Sequence, residues 1–225
     1  MSDVIQNQIA AYRSCFLEHG STPQGTRQNN KETQRERFEQ LIKPLMAHVS
    51  GQFSVCDVGA GVADFHHFLL NKEIPHTYTG VEIVQEMIDA VHADNPELRI
   101  LNRDILEEGF DEEFDFLVAN GVFNFPGQTP VEEWESFVFS MVEKMYRLAR
   151  VGISFNALTT YSTFRDLDLY YLDPSVVLEF VQRSLGRHCE IRMSSPLFEV
   201  TYTVFKPESI KRRYPQAEFQ KYHAH

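Results

Sequence analysis

The sequence contains little cysteine and no long apolar run. Its three cysteines, Cys15, Cys56 and Cys189, are far apart and form neither a CxxC pair nor a Cys/His zinc spacing. This excludes a disulfide framework, is typical of a protein of the reducing cytoplasm and gives no indication of a metal site. No apolar stretch approaches the roughly 18 residues that span a membrane, and the first residues do not resemble a signal peptide. We therefore expect a cytoplasmic protein with no membrane partner.

Basic residues are also few. There are 21 Lys and Arg residues against 32 Asp and Glu residues, which gives a formal net charge of -11. A nucleic-acid partner is disfavoured, because affinity for the phosphate backbone needs clustered positive charge. The local concentrations at Lys206 to Arg213 and at Arg35 with Arg37 are typical of solvated helix faces. A length of 225 residues with 43% hydrophobic residues fits one globular domain.

Strand and helix patterns alternate along most of the chain. Helices are predicted at 3–19, 31–48, 63–71, 84–93, 131–148 and 174–185, and strands at 53–58, 77–83, 98–102, 114–119, 151–155, 189–193 and 199–206. The alternation predicts a doubly wound α/β fold, with a mostly parallel sheet and helices on both faces. The last two strands have only a loop between them, so a C-terminal hairpin should place one antiparallel strand in the sheet. We expect an N-terminal helical cap over residues 1–50 and a ligand-binding domain over residues 51–225.

A glycine turn follows the first predicted strand, in the segment Asp57-Val58-Gly59-Ala60-Gly61. Glycine lets the backbone turn sharply and approach a ligand, and the helix that follows offers free N–H groups. In an open α/β sheet the ligand lies at this carboxyl end of the strands. A dinucleotide is disfavoured, because Asp64 occupies the last position of the G-x-G-x-x-G pattern and would repel a pyrophosphate. S-adenosylmethionine is a nucleoside without phosphate and tolerates an acidic neighbour.

Three further polar segments follow the next three strands in chain order. Glu82 ends the second strand and can accept hydrogen bonds from both hydroxyls of a ribose. Asp104 follows the third strand, where its carboxylate or the adjacent backbone can meet an adenine amino group. The segment from Asn120 to Phe125 follows the fourth strand and offers carbonyl groups and an aromatic surface beside a sulfonium. Four such elements after four successive strands favour a nucleoside site.

Over roughly residues 30–206 the sequence resembles the class I S-adenosylmethionine-dependent methyltransferases, through the segments DVGAG, GVEI, NRDIL and LVANGVFNF. The resemblance implies a Rossmann-like seven-stranded sheet with a terminal hairpin, and methyl transfer from S-adenosylmethionine. It implies that Gly59 and Gly61 line the methionine part of the cofactor, Glu82 holds the ribose and Asp104 the adenine. The residues expected to bind the cofactor are Arg37, Asp57, Gly59, Ala60, Gly61, Glu82, Ile83, Asp104, Ile105, Asn120, Gly121 and Val122. The match departs at Ala63, where many members have a third glycine.

The acceptor side is less defined. Arg37 resembles an arginine of a covering helix in small bacterial members and could pair with the methionine carboxylate, although a surface arginine explains it equally well. Tyr12, Asn124 and Tyr161 are candidate catalytic residues, with packing as the alternative role. The aromatic residues expected near the mouth of the site are Phe123, Phe125, Phe155, Tyr161, Phe164 and Tyr170. They indicate a small organic acceptor, or one group of a peptide.

Other functions are compatible with parts of the pattern. A non-catalytic protein that senses S-adenosylmethionine could keep the same loops. A nicotinamide-dependent oxidoreductase is disfavoured by Asp64, and an aminopropyl transferase would need an acidic polyamine pocket that the chain lacks beside the fourth strand. A monomer and a homodimer both remain open, as does closure of residues 1–30 as a lid.

Overall fold

A computed structural model describes residues 2–223. Its strands form a seven-stranded sheet in the order β3-β2-β1-β4-β5-β7-β6. The strands are β1 (Phe53–Val58), β2 (His76–Glu82), β3 (Ile100–Asn102), β4 (Phe114–Ala119), β5 (Ala149–Leu158), β6 (Cys189–Arg192) and β7 (Glu199–Phe205). β7 runs antiparallel to both β5 and β6, while the pairs along the rest of the sheet are parallel. The predicted Rossmann-like sheet with one antiparallel strand from a terminal hairpin is confirmed.

The helices connect these strands and cover both faces of the sheet. They are α1 (Asp3–His19), α2 (Lys31–Met46), α3 (Asp64–Asn71), α4 (Gln85–Asp94), α5 (Val131–Leu148), α6 (Pro174–Phe180) and α7 (Pro207–Arg213). A π-helical turn at Val181–Leu185 continues α6, and short 3-10 helices lie at Gln24–Thr26 and Ala217–Tyr222. No helix within residues 2–223 combines the length and apolar character that a membrane span requires.

Two apolar layers hold the helices on the sheet. On one face, α5 buries Trp134, Val138 and Met145 against β4 and β5. On the other face, α2 buries Phe38 and Leu41 in a cluster with residues of β1 and α3. Each large apolar side chain removed from water contributes about 1.5–3 kcal/mol, so these layers fix the positions of the strand ends.

The structure differs from the sequence prediction at the ends of several elements: β3 begins at Ile100 and not at residue 98, β5 spans Ala149–Leu158 and not 151–155, and the α-helix predicted over 174–185 ends at Phe180. β5 extends to Leu158, beyond the predicted end at residue 155, because its last three residues pair with residues 199–201 of β7. Helix α7 lies on the basic segment for which the sequence predicts a solvated helix face, and Pro207 stands in its first turn, where a missing N–H costs nothing.

The first two helices occupy different positions. α2 belongs to the helical layer beside the sheet, whereas α1 crosses the carboxyl ends of the strands. Val4 and Ile5 of α1 join the core on the α5 side, and Phe16 packs on Val84 and Met87 of the α4 region. Residues of the proposed cap (1–50) thus pack into the same core as residues of the proposed domain (51–225). Residue 1 of the first range and residues 224 and 225 of the second lie outside the described part.

Candidate functional site

A cavity that is partly open to solvent lies at the carboxyl ends of β1, β2, β3 and β4. Small-molecule and cofactor sites of open α/β sheets lie at this edge. Of the residues predicted to bind a cofactor, the following line it: Asp57, Gly59, Ala60, Gly61, Glu82, Ile83, Asp104, Ile105, Asn120, Gly121 and Val122. Arg37 does not line it. The four sequence segments after four strands therefore meet around one cavity.

The glycine turn has a backbone that other residues rarely adopt. Gly59 and Gly61 have φ of +73° and +57°, and the N–H of Gly59 donates to the Val81 carbonyl over 2.9 Å. A β-carbon on Gly61 would lie 3.2 Å from Cγ2 of Thr26, in the loop that covers the turn. Ala63 also has a left-handed φ of +61°, at the position where many class I methyltransferases have glycine. This chain keeps the glycine-type backbone there with an alanine, at a cost of about 1–2 kcal/mol.

Glu82 closes the turn from the neighbouring strand. Its Oε2 accepts the N–H of Gly61 over 2.8 Å, and its Oε1 accepts the N–H groups of Ile83 and Val84 over 2.8 and 2.9 Å. Burial raises the pKa of the carboxyl, and these three N–H groups oppose the rise. A carboxylate oxygen has two lone-pair positions, so Oε2 can also accept a hydroxyl from a ligand.

Asp57 lies beside it at the end of β1. Its Oδ2 accepts the hydroxyl of Tyr78 over 2.8 Å. Burial, together with the charge of Glu82 and against the lowering effect of the Tyr78 hydrogen bond, raises the pKa of Asp57 to about 7. At neutral pH the protonated and ionised forms of Asp57 are therefore both populated, so this carboxyl can donate or accept a proton.

Asp104 is fixed in the loop after β3. It is buried, and its Oδ1 accepts the N–H of Leu106 over 2.9 Å. The local turn thus orients the carboxylate that was expected to meet an adenine.

The three candidate catalytic residues are placed differently. Tyr12 lines the cavity from α1, and burial raises its pKa to about 12. Its hydroxyl is protonated at neutral pH and is able to donate a hydrogen bond to a ligand. Asn124 lies outside the lining, and its Oδ1 accepts the N–H of Leu158 over 2.9 Å. Tyr161 is 65% exposed and also lies outside the lining. Tyr12 alone of the three lies where it can contact an acceptor in the cavity.

Arg37 pairs with an acidic residue of β7. Its Nη2 lies 2.6 Å from Oε1 of Glu199, with the two side chains only 10% and 5% exposed. Its Nη1 also donates to Oε1 of Gln28 over 2.7 Å. In this structure Arg37 therefore contacts protein groups, and its pairing with a cofactor carboxylate stays a prediction.

Asn156 connects this ion pair with the cavity. Its Nδ2 donates to Oε2 of Glu199 over 2.7 Å, and its Oδ1 accepts the N–H of Gly121 over 2.7 Å. Gly121 lines the cavity with φ of +72°. The buried ion pair thus positions the loop after β4 through one asparagine.

Sequence reasoning missed several lining residues that come from the first 40 residues: Ile5, Gln8, Thr26, Gln28, Gln34 and Phe38. Gln8 and Gln34 are buried polar residues on otherwise apolar helix faces. A glutamine at such a position is visible in the sequence and indicates a buried hydrogen-bonding contact. Gln34 donates to Oδ2 of Asp64 over 2.9 Å, so the acid that disfavours a dinucleotide already has a partner. Within residues 2–223, no group of three or more His, Cys, Asp or Glu side chains could hold a metal ion.

Comparisons with known proteins agree with this geometry. No protein-family model matches the chain. The chain is 30% identical over 164 residues to a Mycobacterium tuberculosis protein named "Putative methyltransferase Rv1506c", an alignment that covers 72% of this chain and 98% of the relative. The chain therefore belongs to the methyltransferase family, and its fold is that of the class I S-adenosylmethionine-dependent enzymes.

Solved structures share the fold at low sequence identity. Magnesium protoporphyrin IX methyltransferase from Synechocystis, crystallised with S-adenosylmethionine, superposes with a TM-score of 0.65 at 14% identity, over 92% of this chain and 98% of that chain. The N-methyltransferase NodS from Bradyrhizobium japonicum, with bound S-adenosylhomocysteine, gives 0.62 at 10% identity, over 89% and 99%. A Burkholderia thailandensis 1,6-didemethyltoxoflavin N1-methyltransferase gives 0.60 at 17% identity, over 92% of both chains.

Proposed function

We propose that the protein transfers the methyl group of S-adenosylmethionine to a small organic acceptor, which enters between α1 and the loop after β4. The observation that carries the proposal is the meeting of the glycine turn, Glu82, Asp104 and Asn120 around one cavity. The names of the structural neighbours support a small acceptor, since one acts on magnesium protoporphyrin IX and another on 1,6-didemethyltoxoflavin.

The carboxylate acceptors and the glycine turn fit this cofactor. Glu82 has a free acceptor position for a ribose hydroxyl, Asp104 can accept the adenine amino group, and Gly61 leaves room where a β-carbon would meet Thr26. When bound, S-adenosylmethionine supplies an electrophilic methyl group and leaves as an uncharged thioether. The acidic lining of the cavity suits its positive sulfonium and repels a pyrophosphate.

The chain itself aligns the acceptor and excludes water. α1 covers the cavity with Ile5, Gln8 and Tyr12, so the reacting atoms meet in a site shielded from solvent. The protonated Tyr12 hydroxyl can donate a hydrogen bond to an acceptor oxygen or nitrogen and orient its lone pair. Asp57, whose pKa burial raises to about 7, is a lining carboxyl that can take up a proton at neutral pH, and its Oδ2 accepts the hydroxyl of Tyr78.

Incubation of the purified protein with S-adenosylmethionine labelled in its methyl group tests the proposal. The dialysable and the macromolecular fractions of a cell extract serve as separate acceptor pools. We expect label to enter the dialysable fraction, and Tyr12→Phe to reduce the rate while cofactor binding persists. Label in the macromolecular fraction alone would contradict a small acceptor. Cofactor binding without transfer to either pool would favour the non-catalytic alternative.

A further inference from the structure

The mouth of the cavity carries an arginine that faces two aromatic rings. The guanidinium carbon of Arg27 lies 3.7 Å from the ring centre of Phe125 and 5.7 Å from that of Tyr12. The two rings meet edge to face, with their centres 6.3 Å apart. Tyr12 lines the cavity, whereas Arg27 is exposed and lies outside the lining together with Phe125, so the guanidinium stands at the rim of the cavity and not inside it.

The neighbours of Arg27 fix this position relative to the cofactor site. On one side, Thr26 packs over Gly61, where a β-carbon would lie 3.2 Å from its methyl group. On the other side, Gln28 packs over Gly121, where a β-carbon would lie 2.8 Å from its Nε2. Arg27 therefore stands between the residues that cover the two glycine turns of the cavity.

Phe125 is held in place as well. Gln8 of α1 donates its side-chain N–H to the Phe125 carbonyl over 2.8 Å. The surface formed by Tyr12, Arg27 and Phe125, which we call the entrance surface, is thus anchored on α1 and on the loop after β4.

The charge of Arg27 is not neutralised by the protein. Within residues 2–223 its guanidinium has neither an ion pair nor a side-chain hydrogen bond, whereas Arg37 pairs with Glu199 and Arg103 donates to the Gly109 carbonyl. The charged side chains deeper in the lining are acidic apart from Arg103, and they are Asp57, Asp64, Glu82 and Asp104. An anionic group is therefore repelled from the depth of the cavity and attracted to its entrance.

We propose that Arg27 binds an anionic group of the acceptor, while an apolar or aromatic part of the acceptor lies against Tyr12 and Phe125. The acceptor then enters with its uncharged reactive group first and its anionic end at the surface. A guanidinium donates two parallel hydrogen bonds to a carboxylate or a phosphate, and its stacked position on Phe125 leaves its edge free to do so. The inference rests on the proposed function, because it identifies the acceptor class of the same site.

Binding of simple probes to the protein saturated with S-adenosylhomocysteine tests the inference. The probes are benzoate, phenyl phosphate and the uncharged benzamide, with calorimetry as the readout. We expect benzoate or phenyl phosphate to bind at least about tenfold more tightly than benzamide, as for a charge-assisted hydrogen-bonded pair. The better of the two anions distinguishes a carboxylate acceptor from a phosphorylated one.

Two variants locate the effect. Arg27→Gln should abolish the preference for the anionic probes. Arg35→Gln makes the same charge change at an exposed arginine outside the lining, and it should retain the preference. Equal binding of all three probes, no binding of any probe, or a preference that survives Arg27→Gln would overturn the inference. Failure to bind S-adenosylhomocysteine in the first step would instead count against the proposed function.

Discussion

The Glu82 carboxylate accepts the backbone N–H of Gly61 over 2.8 Å, so the acidic end of β2 closes the glycine turn that follows β1. This hydrogen bond joins residues 21 positions apart in the chain. Glu82 therefore has two roles: its carboxylate stabilises the glycine turn, and the same carboxylate is expected to bind the ribose of the cofactor.

Replacement of Glu82 by alanine should therefore affect both tasks. We expect a weakening of S-adenosylhomocysteine binding by about 1–3 kcal/mol, and a similar loss of unfolding free energy because three buried N–H groups lose their acceptor. Calorimetry and denaturant unfolding measure the two effects. Glu97→Ala, at an exposed residue outside the cavity lining, is the control and should leave cofactor affinity unchanged. Unchanged affinity in folded Glu82→Ala would show that the ribose lies elsewhere.

Gly61→Ala tests the close approach of the turn to its covering loop. The new β-carbon would adopt a left-handed φ and stand 3.2 Å from Thr26, so we expect at least about tenfold weaker binding of S-adenosylhomocysteine. Gly51→Ala is a matched control, because Gly51 has φ of +85° but nothing within 4 Å of its β-carbon position. Both variants should lose about 1 kcal/mol of stability from backbone strain. Equal cofactor affinities in the two would contradict the assignment.

Asp57 should make stability depend on pH. Its pKa is raised from 3.8 to about 7 in the folded protein, so between these values the native state retains a proton that the unfolded chain has lost. Stability from this group therefore falls as pH rises from about 4 to about 7. Asp57→Asn removes the effect, and its unfolding free energy relative to wild type should increase across that window by a few kcal/mol. A difference that is constant with pH would show that Asp57 is ionised throughout.

Arg37 and Glu199 should act as a stability pair. Because both are buried, Arg37→Gln and Glu199→Gln should each lower the unfolding free energy by about 3–5 kcal/mol, and the double variant by less than the sum. Cofactor affinity distinguishes this role from the predicted carboxylate contact. If Arg37 acts through Glu199, both single variants weaken S-adenosylhomocysteine binding equally. A much larger loss in Arg37→Gln would instead support direct contact with the methionine carboxylate.

The sheet could be predicted because its signals are local. β1, β4 and α5 have the predicted bounds, since an uninterrupted apolar run or a strong helical stripe specifies each of them. The end of β5 could not be predicted in this way, because its last three residues depend on pairing with residues 199–201 of β7.

The site likewise contains residues that local sequence patterns predict and residues that depend on tertiary packing. The residues after the strands were found because strand order places them at one edge of the sheet. The lining from the N-terminal region and the pairing of Arg37 with Glu199, which lies 162 positions away, depend on how α1 and α2 pack. Catalytic roles for Asn124 and Tyr161 were inferred from chain order alone, and the structure places both side chains outside the cavity.

The central claim is that the cavity binds S-adenosylmethionine, and calorimetric titration of the purified protein tests it most directly. S-adenosylmethionine, S-adenosylhomocysteine and NAD are titrated separately under identical conditions. We predict micromolar dissociation constants, about -8 kcal/mol, for the first two ligands and no heat of binding for NAD. Binding of NAD alone, or of none of the three, would contradict the account.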